Sequence, residues 1–133
     1  MRTPTWPGRK RYPLSGKVVL ITGAGRGLGA ATASTLAQRG AHVVVADIDQ
    51  DSAQRVVATL PNARGLALSC DVTQLDSVTD AVSRTTDEFG GIDVVIANAG
   101  IMGRGATIRA LEPGEVGQVM SVNVAGVVNT VSA

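Results

Sequence analysis

The chain has 133 residues, 44% of them apolar and 17% charged, with a formal net charge of +1. That is long enough for one domain with its own core and too apolar to stay disordered. A single cysteine, Cys70, excludes an internal disulfide, no apolar run nears transmembrane length, and no basic stripe interleaved with aromatics marks a nucleic-acid partner.

The charge is unevenly spread. Residues 1–46 hold seven Arg or Lys and no acid, whereas residues 47–133 hold five and eleven. Met1 to Tyr12 carry three Arg, one Lys and two Pro without periodicity. They read as a flexible basic tail over 1–13, ahead of a folded domain over 14–133. The tail lacks an apolar core segment, so it is no secretory signal, and a cytoplasmic protein is the expectation.

Lys17–Thr22 is a short β-branched run, the pattern of a strand buried on both faces. Four glycines follow at 23, 25, 27 and 29, then a helix-forming run from about Gly27 to Arg39 with Gly40 as its stop. His42–Ala46 is a second strand, ending at Asp47. Asp49 opens a second helix and Pro61 stops it. Leu66–Cys70 is a third strand, followed by Asp71-Val72. Thr73-Gln-Leu-Asp76 predicts a capping box for a third helix, whose stripe is Leu75, Val78, Val82 and Phe89. Ile92–Ala97 is a fourth strand, followed by Asn98-Ala-Gly100 and a loop over Ile101–Leu111. A last helix starts near Pro113 and carries Val116, Val119, Met120, Val124, Val127 and Val131.

Four βα units of similar length predict a Rossmann-like, doubly wound parallel sheet in three α/β/α layers. The glycines, Asp47, Asp71 and Asn98–Gly100 all follow the carboxyl ends of strands, the edge at which such sheets bind ligands. Glycines between a strand and a helix let backbone approach a diphosphate, with the helix N-terminus aimed at the anion. The spacing alone is ambiguous. Gly25-x-Gly27-x-x-Ala30 fits a dinucleotide fingerprint, Gly23-x-Gly25-x-Gly27 also fits an S-adenosylmethionine-dependent methyltransferase turn, and a plain joining turn is the third reading. No Gly-Lys-Ser/Thr follows, which excludes a Walker A loop. Asp47, beside Ile48, stands where an acid accepts from ribose hydroxyls and repels a 2′-phosphate, favouring NAD over NADP. Arg26 is the counter-signal, since a base in the turn can meet that phosphate. No metal is expected.

At four places the sequence resembles the short-chain dehydrogenase/reductase family: Thr22-Gly-Ala-Gly-Arg-Gly-Leu-Gly29, Asp71-Val72, Asn98-Ala-Gly100 and Ser121-Val-Asn-Val-Ala-Gly126. The resemblance implies a sheet order of 3-2-1-4. It also implies roles. Gly23, Gly25, Gly27 and Gly29 wrap the diphosphate with N–H donors near Leu28. Asp71 accepts from the adenine amino group and the Val72 N–H meets the ring. Asn98, Ala99 and Gly100 line the floor towards the nicotinamide. Asn123 is the helix asparagine whose backbone carbonyl holds a water in a proton relay. A small-molecule alcohol or ketone is the implied substrate, and a homo-oligomer packed through the last helix is the implied assembly.

The family's chemistry also uses a serine and a Tyr-x-x-x-Lys pair. The one tyrosine is Tyr12 and the lysines are Lys10 and Lys17, so no such pair exists in these 133 residues. The pattern covers the family's cofactor half and breaks off inside a helix. Two functions stay open: an NAD-dependent oxidoreductase seen through its cofactor half, or a non-catalytic nucleotide-binding fragment.

Overall fold

The computed structural model describes residues 13–61, 65–103, 107, 110 and 112–133. The expected tail lies outside the described residues except for Pro13, and the expected loop over 101–111 lies partly outside them. The strands are β1 (Val18–Thr22), β2 (His42–Asp47), β3 (Gly65–Ser69) and β4 (Val94–Ile96). The helices are α1 (Gly27–Gln38), α2 (Gln50–Thr59), α3 (Leu75–Phe89), α4 (Pro113–Met120) and α5 (Gly126–Ser132), with a π-helical turn Ser121–Ala125 joining the last two.

All strands pair in parallel, in the order β3-β2-β1-β4. Successive side chains leave a strand on opposite faces, so each central strand feeds two cores. Val19, Ile21, Val43 and Val45 pack with Ala33 and Ala37 of α1 and Ala53 of α2. Leu20, Val44, Ala46 and Leu68 pack on the other face with Val78 and Ala81 of α3, and with Val122. That gives the three layers, and it explains why β1 and β2 read as unbroken apolar runs. The order in which the chain adds strands reverses between β1 and β4, which opens a crevice beyond their carboxyl ends.

Three local expectations are corrected. The capping box at Thr73 does not form: α3 begins after Gln74, and no side chain caps it. Thr73 is diverted to Asp71, whose Oδ1 accepts from its N–H at 2.9 Å and its hydroxyl at 2.7 Å. The fourth strand is shorter than Ile92–Ala97. At its start the Asp93 carboxylate bonds Lys17 and the Val18 N–H while its own N–H donates to Val18 O, and at its end Asn98 bonds Thr22 through its side chain. The last helix is interrupted by the π turn, with the Gly126 N–H donating to Ser121 O. A capping box does occur in the chain, at Glu112 and Glu115 of α4.

The helical segment after residue 112 lies against the second face of the sheet. Gly126 sits so close that a Cβ there would stand 2.6 Å from Val72 Cγ2. Its far side carries exposed Val116, Met120, Val124, Val127, Val128 and Val131. Among the described residues, no helix is long and apolar enough to cross a membrane.

The Asp93 clasp yields a pH test. Lys17 Nζ lies 2.7 Å from Asp93 Oδ1, and the Val18 N–H donates to Oδ2 at 2.9 Å. The Lys17 hydrogen bond, with the Val18 bond behind it, holds the Asp93 carboxyl below its ordinary value. A lowered folded-state pKa stabilises above the unfolded value and is lost as pH falls through the folded one. Asp93→Asn should therefore lower Tm at pH 7, with the gap to the parent closing below about pH 4. Thermal melts across that range are the check, and a gap constant with pH refutes the clasp.

Candidate active site

The crevice at the carboxyl ends of the strands is a cleft of about 380 Å³. Its first wall is the turn after β1, where Gly23, Arg26, Leu28 and Gly29 line the space. Gly23 has φ +63°, and its missing Cβ would stand 2.6 Å from Ala99 Cα. A Cβ on Gly29 would stand 2.6 Å from Asn98 Nδ2 and 2.7 Å from Gly23 O. These glycines let the turn, the helix and the β4 end approach one another. No side chain caps α1 at Arg26 and no acid occupies its first turn. Its leading N–H groups and positive dipole end are thus left for an anion. α2 differs, because Asp49 caps it by accepting from the Ser52 N–H. A bond from the Ser52 hydroxyl, with the Ser52 N–H bond behind it, holds the Asp49 carboxyl below its ordinary value.

The second wall is Asp47 with Ile48 at the end of β2. Asp47 is 7% exposed. Its Oδ2 accepts from the Gly25 N–H at 2.8 Å and its Oδ1 from the Asp49 N–H at 3.0 Å. A carboxylate has about four lone-pair sites, so roughly two remain for a ligand. Gly25 does not line the cleft; its role is to bring this amide to Asp47, since a Cβ there would stand 2.9 Å from Oδ2. Gly27 is also outside the lining set.

The third wall is Cys70, Asp71 and Val72. Asp71 Oδ1 is committed to Thr73, and its N–H donates to Ser77 Oγ at 3.0 Å. Cys70 is buried, and that burial raises its thiol pKa, which makes it a poor nucleophile. The floor is Asn98, Ala99, Gly100 and Ile101. Asn98 Nδ2 donates to Thr22 O and to Gly23 O, both at 3.0 Å. In return Thr22 Oγ1 accepts from the Asn98 N–H at 3.2 Å and the Ala99 N–H at 3.3 Å.

Asn123 does not line the cleft. Its side chain holds the floor, with Nδ2 donating to Ile101 O and Oδ1 accepting from the Ile101 N–H, each at 2.8 Å. Gln118 and Val122 of the last helical segment close the remaining side. Three lining residues carried no signal in the sequence, Cys70, Ile101 and Gln118, and a fourth, Val122, stood in the Ser121–Gly126 motif without a role of its own. Gln118 sits at an ordinary helix position, and only the fold brings it to the cleft. Among the described residues, no group of three His, Cys, Asp or Glu could hold a metal ion.

The Asn98 amide bridges two carbonyls, so its loss leaves acceptors without a partner. Asn98→Ala should cost about 1–3 kcal/mol. Asn98→Asp should cost more, because it turns a carboxylate oxygen onto the same carbonyls. Urea unfolding at pH 7 should rank parent, Ala, then Asp; an Asp variant as stable as the parent contradicts the bridge.

The short chain dehydrogenase family model matches residues 17–133. Versicolorin reductase stcU of Emericella nidulans is 40% identical over 118 residues, which are 86% of this chain and 44% of that protein. A 3-ketoacyl-(acyl-carrier-protein) reductase from Brucella melitensis, solved with NADH, superposes with a TM-score of 0.86 at 38% identity, over 90% of this chain and 49% of that one. A short chain dehydrogenase/reductase from Burkholderia phymatum, solved with NAD, gives a TM-score of 0.86 at 32% identity, over 92% of this chain and 44% of that one. The chain thus spans less than half the length of each of these relatives. With the fold, the four motifs and a match running from Lys17 to the last residue, this chain belongs to the short-chain dehydrogenase family.

Proposed function

We propose that this chain is the cofactor-binding part of an NAD-dependent oxidoreductase that moves hydride between NAD(H) and a small alcohol or carbonyl compound. The observation that carries the reading is Asp47, a buried carboxylate hydrogen-bonded to the Gly25 amide of the glycine turn. One bond joins the group suited to ribose hydroxyls to the turn suited to a diphosphate. The uncapped α1 N-terminus with Leu28 and Gly29 takes the diphosphate. Asp71 and Val72 take the adenine, and Asn98, Ala99 and Gly100 run beneath the ribose towards the nicotinamide. The bound nicotinamide supplies or accepts the hydride. Asn123 holds the floor through Ile101 and serves the proton path. Two of the solved relatives carry NADH or NAD, which supports the same cofactor here. The working protein is a homo-oligomer that covers the exposed valines of the last helical segment.

Arg26 lines the same cleft as Asp47, so the choice between NAD and NADP is a contest of charges. A carboxylate with spare lone pairs binds a ribose diol and repels a phosphate, and we give it the decision. Calorimetric titration should show NAD binding more tightly than NADP. Asp47→Ala should weaken NAD by about 1.5–3 kcal/mol and narrow the gap to NADP. Tighter NADP binding by the unmutated chain overturns the assignment.

A second reading rests on a specific observation: these 133 residues contain no Tyr-x-x-x-Lys. General acid–base chemistry needs a group within hydrogen-bond reach of the substrate oxygen, and Tyr12 precedes β1. The chain by itself is then a nucleotide-binding unit without turnover. Purified protein given NAD and a panel of secondary alcohols should form no NADH. Turnover that survives Tyr12→Phe shows that a different group does the proton chemistry.

A further inference from the structure

One ridge of the last helical segment is laid along the Asp71–Val72 turn. Asn129 Nδ2 donates to Val72 O at 2.9 Å. Gly126 takes the Val72 side chain at a distance that admits no Cβ. Val122 packs in the same apolar cluster as Val72. These three contacts fix the register of the ridge. Gln118 is the next residue along it, one turn before Val122, and it lines the cleft with Asp71 and Val72.

Gln118 is exposed, and its amide makes no hydrogen bond among the described residues. An exposed polar residue on a helix needs no explanation by itself. This one lines the same cleft as the apolar Val72 and Val122 and the carboxylate Asp71, which together make a slot in it. Asp71 has one oxygen committed to Thr73, which leaves Oδ2 as an acceptor. The slot thus offers an acceptor from Asp71 and an acceptor–donor pair from Gln118. Adenine presents a matching edge, because its N6 amino group has two hydrogens and its N7 accepts. A glutamine amide pairs with N6 and N7 together.

We infer that Gln118 reads the adenine ring of the cofactor, accepting from N6 and donating to N7 while Asp71 takes the second N6 hydrogen. The inference rests on the nucleotide-binding reading above and assigns a base-recognition residue to it. Hypoxanthine is the discriminating base. It has a carbonyl oxygen in place of the amino group, so the amide can meet its O6 or its N7 but cannot satisfy both of its own ends.

The test is calorimetric titration of the 133-residue chain and its Gln118→Leu variant with NAD and with nicotinamide hypoxanthine dinucleotide. Leucine at an exposed helix position keeps the fold. The variant should bind NAD about tenfold more weakly and the hypoxanthine analogue with a clearly smaller loss, so that the parent's preference for adenine narrows. An unchanged NAD affinity, or equal losses for both dinucleotides, overturns the assignment of Gln118 and leaves the nucleotide-binding reading intact. Failure of the parent chain to bind NAD at millimolar concentration overturns both.

Discussion

The site depends on the bond between the ends of β1 and β4. Neighbouring strands whose following loops run to opposite sides leave a crevice, and something must hold the crevice to one width. Here Asn98 and Thr22 do so reciprocally, each giving its side chain to the other's strand end. The glycine turn leaves β1 at the point where Asn98 grips Gly23 O, and the floor leaves β4 at the point where Thr22 grips the Ala99 amide. Both walls therefore start from a fixed separation. Gly29 completes the arrangement, because any side chain there would push Asn98 aside.

A second economy lies at Asp47. Its carboxylate shapes the protein and remains available to a ligand. The Gly25 and Asp49 amides compensate its burial, and the same bonds tie the glycine turn to the start of α2. Charge preference and turn geometry are thus one property here. A substitution at Asp47 aimed at cofactor preference also loosens the turn, so altered specificity and lost affinity arrive together.

Much of this was legible in the residues. The β-branched runs had to be strands buried on both faces, and the glycines and Asp47 had to meet at one edge once the βα alternation was accepted. The sheet order 3-2-1-4 came from the resemblance and agrees with the observed topology. The misreadings share a cause. Thr73 and Asp93 both spend their side chains on partners outside the element that the local pattern assigns them to. Thr73 matched a cap motif but answers to Asp71. Asp93 lies in a good strand pattern, but its carboxylate serves Lys17 and the Val18 amide. The π turn left no mark in the apolar spacing, and Gln118 has the composition of an ordinary solvated helix position.

That π turn gives the chain a phase shifter. Each residue of an α-helix advances the side-chain direction by about 100°. A π turn accommodates one extra residue without breaking the helix. Upstream of it, α4 presents Gln118 to the cleft; downstream, α5 presents Gly126 and Asn129 to Val72. Both halves meet the same edge of the sheet because the extra residue absorbs the angular mismatch between them. Excising one residue from Ser121–Ala125 would regularise the helix and raise its intrinsic stability. It would also rotate one half by roughly a quarter turn, so that a better helix would make a worse wall.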